Sequence, residues 1–174
     1  MHNAWKSAEP GVLFWDTILK ESVPDCYADL GYRTVSTNPC GEIPLCPDDS
    51  CRLRAINLYS YVVNPFKSDA YFDFELFKKH VALAQRIMDD IIDLELEKIE
   101  RIMSKIDADP ESEDVKHTER VLWQKIYKKR AQGRRTGVGI TAEGDMLAAL
   151  GLRYGTEEAT EFSEQVHKTV ALTA

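Results

Sequence analysis

The sequence predicts an α/β fold in which helix exceeds strand. Three observations carry this. Phe77, Val81, Ala84, Met88, Ile92, Leu96, Ile99, Met103 and Ile106 recur at three- and four-residue steps, the mark of one long helix with a single buried stripe. Two runs rich in β-branched and aromatic residues, 33–37 and 52–63, carry strand signals. Between those runs sits a loop bounded by Pro39 and Pro44, and the residue before a proline is pushed away from helix.

In chain order, 11–20 reads as a short amphipathic helix with Leu13, Phe14, Ile18 and Leu19 available for burial. The two strands follow, one on each side of the loop, and Asn64-Pro65 breaks the chain after the second. Asp73 is placed to cap the long helix. Asp109-Pro110 reads as cap and first residue of a second helix, with Glu111 in its first turn and Lys128, Lys129 and Arg130 at its end before Gly133. A short strand is expected over 138–140. Thr141 is expected to cap a helix running to Leu150, and Thr156 a last one with Phe162, Val166 and Val170 on its inner face.

The loop carries the chemistry. In Ser36-Thr37-Asn38-Pro39-Cys40-Gly41-Glu42-Ile43-Pro44-Leu45, an amide, a thiol and a carboxylate stand at alternate positions. An extended run would put all three on one face, with Gly41 leaving room for a ligand. A carboxylate can take a hydroxyl proton, and an amide both donates and accepts, so it can fix a diol. For an arbitrary N-x-C-x-E, the plainer reading is a loop whose polar groups only satisfy turn backbone.

The surrounding residues favour the chemical reading. T-N-P-C-G-E-I-P-L, with Cys51 eleven residues after Cys40 in S-C-R-L-R-A-I-N-L, resembles the catalytic subunit of ribonucleotide reductase. The N-P-C-G-E form is most similar to the adenosylcobalamin-dependent class II enzymes. The resemblance extends through Ala8-Glu9-Pro10-Gly11, through Gly133-Arg134-Arg135-Thr136-Gly137-Val138-Gly139-Ile140 and on to Leu150-Gly151-Leu152-Arg153-Tyr154, covering nearly the whole chain. It implies that the loop is a finger inside a ten-stranded α/β barrel, of which residues 1–174 would be a helix-rich part, truncated at both ends.

By the same resemblance, Cys40 would hold a transient thiyl radical that abstracts the ribose 3′-hydrogen. Glu42 would be general base on the 3′-hydroxyl, and Asn38 would orient the ribose hydroxyls. Thr37, Asn38, Pro39, Cys40, Gly41 and Glu42 together would form the substrate-binding run. Cys51 would be one member of the redox pair that reduces the substrate radical and ends as a disulfide. The family's S-C-N-L-G-S-I-N-L reads Arg52 and Arg54 here, a departure beside the redox cysteine. The implied parent reduces ribonucleotides to deoxyribonucleotides for DNA synthesis, with adenosylcobalamin as cofactor, a thiol reductant such as thioredoxin, and a homodimeric catalytic subunit. A class I reductase fed its radical by a partner subunit is the alternative, and a non-catalytic binding or assembly fragment of the same fold is a second.

Other signals weigh less. Asp89-Asp90-Ile91-Ile92-Asp93 is a literal D-D-x-x-D, a magnesium-diphosphate pattern, but it continues as ordinary acid-rich helix surface to Glu100. Cys26, Cys40, Cys46 and Cys51 lack paired zinc-ligand spacing, Cys46 and Cys51 coming nearest. His2, His80, His117 and His167 are scattered, so no metal site is expected. Lys125, Lys128, Lys129, Arg130, Arg134 and Arg135 could grip phosphate or simply complement a helix C-terminus. Gly137-x-Gly139 lacks the rest of a dinucleotide fingerprint.

Composition sets the class. The chain is 174 residues, 44% hydrophobic and 29% charged, enough to bury a core. A net charge of −7 argues against a general nucleic-acid or anionic-membrane binder. No basic segment followed by an apolar one opens the chain, and no apolar run approaches the ~18 residues of a membrane span. Four cysteines without tight pairing suit a reducing cytosol, so a cytoplasmic location is expected. Trp5 follows almost at once on Met1, and the last apolar helix stops at Ala174 without a glycine cap or polar tail. Both ends are therefore expected to be cuts in a longer chain, and the fragment alone is expected to be inactive.

Overall fold

Helix dominates the structure, as the long apolar stripe requires. The computed structural model describes residues 1–174. They fall into two units, Met1–Ser50 and Cys51–Ala174.

The first unit holds α1 (His2–Ser7), α2 (Trp15–Glu21), a 3₁₀ segment (Val23–Leu30), β1 (Ser36–Thr37) and β2 (Pro44–Leu45). The expected helix over 11–20 starts only at Trp15, with Phe14 before it and no side-chain cap bond. Leu13 and Phe14 are consequently 49% and 72% exposed rather than buried. The strand expected over 33–37 shrinks to Ser36–Thr37 for an identifiable reason. The Thr34 N–H donates to Asp25 Oδ1 at 3.0 Å and its hydroxyl donates to Asp25 Oδ2, so Thr34 is committed to a side chain rather than to a ladder. Burial pushes the Asp25 carboxyl up. Its bonds from Thr34 and Ser22 and the nearby Arg33 charge outweigh that and hold it below the usual range. β1 and β2 pair antiparallel, Ser36 opposite Leu45 and Thr37 opposite Pro44.

The second unit contains β3 (Leu53–Asn57), β4 (Val62–Val63), β5 (Tyr71–Phe72), α3 (Phe74–Ala108), α4 (Glu113–Gly133), β6 (Gly137–Thr141), α5 (Glu143–Ala149) and α6 (Glu157–Thr173). The long strand expected over 52–63 is interrupted. Asn57 accepts the N–H of Tyr59 at 3.0 Å, an Asx-type turn that diverts Leu58–Tyr61 into a 3₁₀ turn before β4 resumes. β3 pairs parallel with β6, Leu53 opposite Gly137 through Asn57 opposite Thr141, while β4 and β5 pair antiparallel. The chain thus forms three two-stranded sheets and no closed barrel.

Asp73 caps α3 as expected, accepting the Leu76 N–H at 2.9 Å. The stripe is largely realised: Phe77, Val81, Ala84, Met88, Ile92, Ile99 and Ile106 are buried, while Leu96 and Met103 are half-buried. Asp109 does not start the next helix. Its N–H closes the end of α3 on the Ile106 carbonyl at 3.3 Å and its carboxylate is taken by Lys105 at 2.8 Å, so Ser112 becomes the residue before α4. Thr141 likewise ends β6 instead of capping α5, a place filled by Ala142 at φ 60°. Thr156 does cap α6, accepting the Ala159 N–H at 3.3 Å. Tyr61, Phe72, Phe77, Phe74 and Phe162 form an edge-to-face cluster, Tyr61 and Phe77 having centroids 5.0 Å apart, and Ile56, Leu58, Val81, Met146, Leu147 and Val166 complete this core. No helix is long and apolar enough to cross a membrane.

Candidate active site

The N-P-C-G-E run forms the tip of the β1–β2 hairpin. Proline's fixed φ suits the second position of a β-turn, and glycine accepts a positive φ. Pro39 and Gly41 fit those needs: the Gly41 N–H donates to the Asn38 carbonyl at 3.0 Å, and Gly41 has φ 85°. The run is therefore a reverse turn. The face-sharing expected of an extended segment does not apply to Asn38, Cys40 and Glu42, because the chain reverses at Pro39-Cys40.

Asn38 closes the loop. Its N–H donates to the Ile43 carbonyl at 3.1 Å, and its Oδ1 accepts the Ile43 N–H at 3.0 Å. Thr37 donates its hydroxyl to the Asn38 carbonyl at 3.0 Å. Asn38 is half-buried, while Pro39, Cys40 and Glu42 are exposed at the tip. Beside the tip, Gly41 and Pro44 line an apolar groove with Val12, Leu13, Phe14 and Ile18. The arrangement can present a thiol and a carboxylate to a ligand from a loop whose backbone is tied down at its base.

The four cysteines are thiols, none joined in a disulfide. Cys46 is buried and donates to Asp49 Oδ2 at 3.6 Å, so it belongs to the packing of the first unit. Cys51 is half-buried and opens the second unit, two residues ahead of β3.

Beside Cys51 stands a charge cluster built from Arg52, seen in the sequence only as a departure from the family pattern, and from the acidic face of α3 and the basic end of α4. Arg52 is 7% exposed. Its Nε donates to Glu95 Oε2 at 2.7 Å, its Nη2 reaches the same oxygen, and its Nη1 donates to the Arg135 carbonyl at 3.2 Å. Arg130 Nε donates to that Glu95 oxygen at 2.9 Å. Burial pushes the Glu95 carboxyl up, but the two arginines override it and hold it below the usual range. Arg134 spans Asp89 and Asp93 at 2.8 Å each, keeping Asp89 low and raising its own affinity for the proton. Asp89 and Asp93 of the D-D-x-x-D are thus the partners of Arg134, while Arg130 meets Glu95 further along α3. The signal for this pairing, separated by 35 to 45 residues, was the coincidence of an acidic helix face and a basic helix end.

A family profile described as "Ribonucleotide reductase, barrel domain" matches residues 1–174. Among curated relatives, the Vitamin B12-dependent ribonucleoside-diphosphate reductase of Thermoplasma acidophilum is 34% identical over 163 residues, covering 94% of this chain and 17% of the relative. The protein of the same name from Mycobacterium tuberculosis is 27% identical over 168 residues, covering 96% of this chain and 19% of the relative. The ribonucleoside-diphosphate reductase subunit alpha of Chlamydia pneumoniae is 28% identical over 139 residues, 78% of this chain and 10% of the relative. The chain therefore spans less than a fifth of the length of the curated relatives it matches. No solved structure matches it.

Proposed function

The chain belongs to the ribonucleotide reductase barrel-domain family, and we propose that it is the part of a B12-dependent catalytic subunit that carries the radical cysteine. The observation that carries the reading is the N-P-C-G-E hairpin tip, which leaves Cys40 exposed on a loop braced by Asn38. In the complete enzyme this tip is the finger of the ten-stranded barrel. The full-length protein, in the cytoplasm and as a homodimer, has a ribonucleotide as substrate.

Cys40, as a thiyl, takes the 3′-hydrogen of the ribose and returns it to C3′ after reduction, which regenerates the thiyl. Glu42, exposed beside it, accepts the 3′-hydroxyl proton. Asn38 has its Oδ1 engaged by Ile43, so its amide N–H₂ is the group that donates to a ribose hydroxyl. Reduction then draws on Cys51 and a second cysteine thiol elsewhere in the full-length subunit. The two thiols give up two electrons and two protons as their S–S bond forms, and the 2′-hydroxyl leaves as water while hydrogen takes its place. Two cysteines bond only with Cα atoms roughly 4.4–6.8 Å apart, so the partner must come from an adjacent strand. A thioredoxin-like dithiol restores the pair.

The chain offers no cluster of three or more His, Cys, Asp or Glu residues that could seat a cation. Adenosylcobalamin, named for the relatives in this family, would supply the radical in the full-length enzyme. The test is Cys40→Ser in the full-length protein assayed with adenosylcobalamin and a dithiol. Turnover should vanish, because an alkoxyl radical is no accessible substitute for a thiyl. Near-normal rates would refute the assignment.

A further inference from the structure

The assigned role of Cys51 asks that its thiol be held on one side of the chain as β3 begins. What fixes that segment is its neighbour. Arg52 extends the β3–β6 ladder by one step, its carbonyl accepting the Gly137 N–H at 2.8 Å. Its side chain turns inward, where Glu95 on α3 takes Nε and Nη2 and the Arg135 carbonyl takes Nη1. Glu95 is in turn gripped by Arg130 on α4. One residue is thereby tied to α3, α4 and the segment leading into β6.

Successive side chains of an extended strand face opposite ways. Arg52 and Ile56 are buried on the α3 side; Arg54, of the same parity, is exposed, as are Leu53, Ala55 and Asn57 on the opposite parity. Cys51 shares the parity of that second set. A buried charged side chain is costly unless fully paired, and rotation of this segment would strand the guanidinium. Resting on the redox reading of Cys51, we propose that Arg52, anchored by Glu95 and the Arg135 carbonyl, is the positioning residue that keeps the half-buried Cys51 thiol turned away from α3 at the entry to β3. Glu95 and Arg130 act through Arg52, and none of the three touches substrate.

The experiment uses the full-length reductase, pre-reduced and given one turnover's worth of substrate without external reductant. The fraction of Cys51 recovered in a disulfide is measured by mass spectrometry, and the initial radical by electron paramagnetic resonance. Arg52→Met removes the anchor while Glu95 keeps Arg130. It should lower Cys51 oxidation about tenfold and leave the radical signal unchanged, and Arg52→Lys should recover to within about threefold of wild type. Should Arg52→Met fail to fold, Glu95→Gln tests the same anchor with the same expected split. Wild-type oxidation of Cys51 in the variant would overturn the proposal, as would equal loss of radical and disulfide. Cys51→Ser separates the two levels: if it turns over fully, the redox reading falls and this inference with it. If Cys51→Ser is inert and Arg52→Met behaves as wild type, only the positioning role fails.

Discussion

Asn38 accepts the Ile43 N–H at 3.0 Å, so the first residue of the N-P-C-G-E run also locks the far side of its own turn. A second bond, from the Asn38 N–H to the Ile43 carbonyl at 3.1 Å, makes the pair reciprocal. The residue proposed to orient a substrate is thus also the residue that holds Cys40 in place, and substitution at Asn38 should disturb both.

Asn38→Ala removes the side-chain acceptor and leaves the Ile43 N–H to find water, at a cost of about 1–2 kcal/mol. Amide exchange at Ile43 should therefore quicken roughly tenfold, since 1.4 kcal/mol is tenfold in an equilibrium. Exchange in α3 should stay as it is. An unchanged rate at Ile43 would show that the turn is held by something other than this bond.

Gly41→Ala separates backbone strain from crowding. Gly41 has φ 85°, and an added Cβ would lie 3.2 Å from Leu13 Cδ2. Leu13 is half-exposed and can swing aside. The left-handed backbone cannot relax without opening the turn, and costs a side-chain-bearing residue roughly 1–2 kcal/mol. The backbone effect is expected to win, so Leu13→Ala added to Gly41→Ala should restore almost nothing in a thermal melt. Full recovery in the double variant would mean that crowding dominates.

Legibility in the sequence followed the range of the interactions involved. Asp73 and Thr156 cap the helices they were expected to cap, because an N-cap is written within four residues. The α3 stripe was readable for the same reason. Asp109, Thr34 and Asn57 misled because each had competing uses for its polar groups, and the structure spends them on Lys105, Asp25 and the Tyr59 N–H. The N-P-C-G-E residues were identified from type and spacing, but their geometry as a turn depends on Gly41 adopting positive φ, which a glycine permits without requiring. The Arg52–Glu95 pair joins residues 43 apart, beyond the reach of any local pattern.

Acid should reach the Arg52–Glu95–Arg130 cluster in a predictable direction. The folded Glu95 carboxyl lies below its ordinary 4.5, so the unfolded chain binds the proton more readily. Its contribution is present above the unfolded value and is lost as pH falls through the folded one. Urea midpoints of the wild-type chain should drop below about pH 4.5 more steeply than those of Glu95→Gln, which has no carboxyl to titrate there. Parallel pH profiles would show that solvent screens the cluster too well to matter.

Gly137→Ala tests the junction that the Arg52 anchor shares. An added Cβ would sit 2.8 Å from Leu53 Cδ2 and 3.1 Å from the Arg52 carbonyl oxygen. Leu53 is 63% exposed and can rotate away. The carbonyl cannot, because the Gly137 N–H holds it at 2.8 Å. Forcing the two backbones apart should cost about 1–3 kcal/mol, the usual range for overpacking. Truncating Leu53 as well should return only part of that, since the side-chain clash is the smaller obstacle. Chemical denaturation of Gly137→Ala, Leu53→Ala and the double variant provides the comparison. If Gly137→Ala were neutral, or if Leu53→Ala rescued it completely, the close approach of β6 to Arg52 would not be what fixes the start of β3.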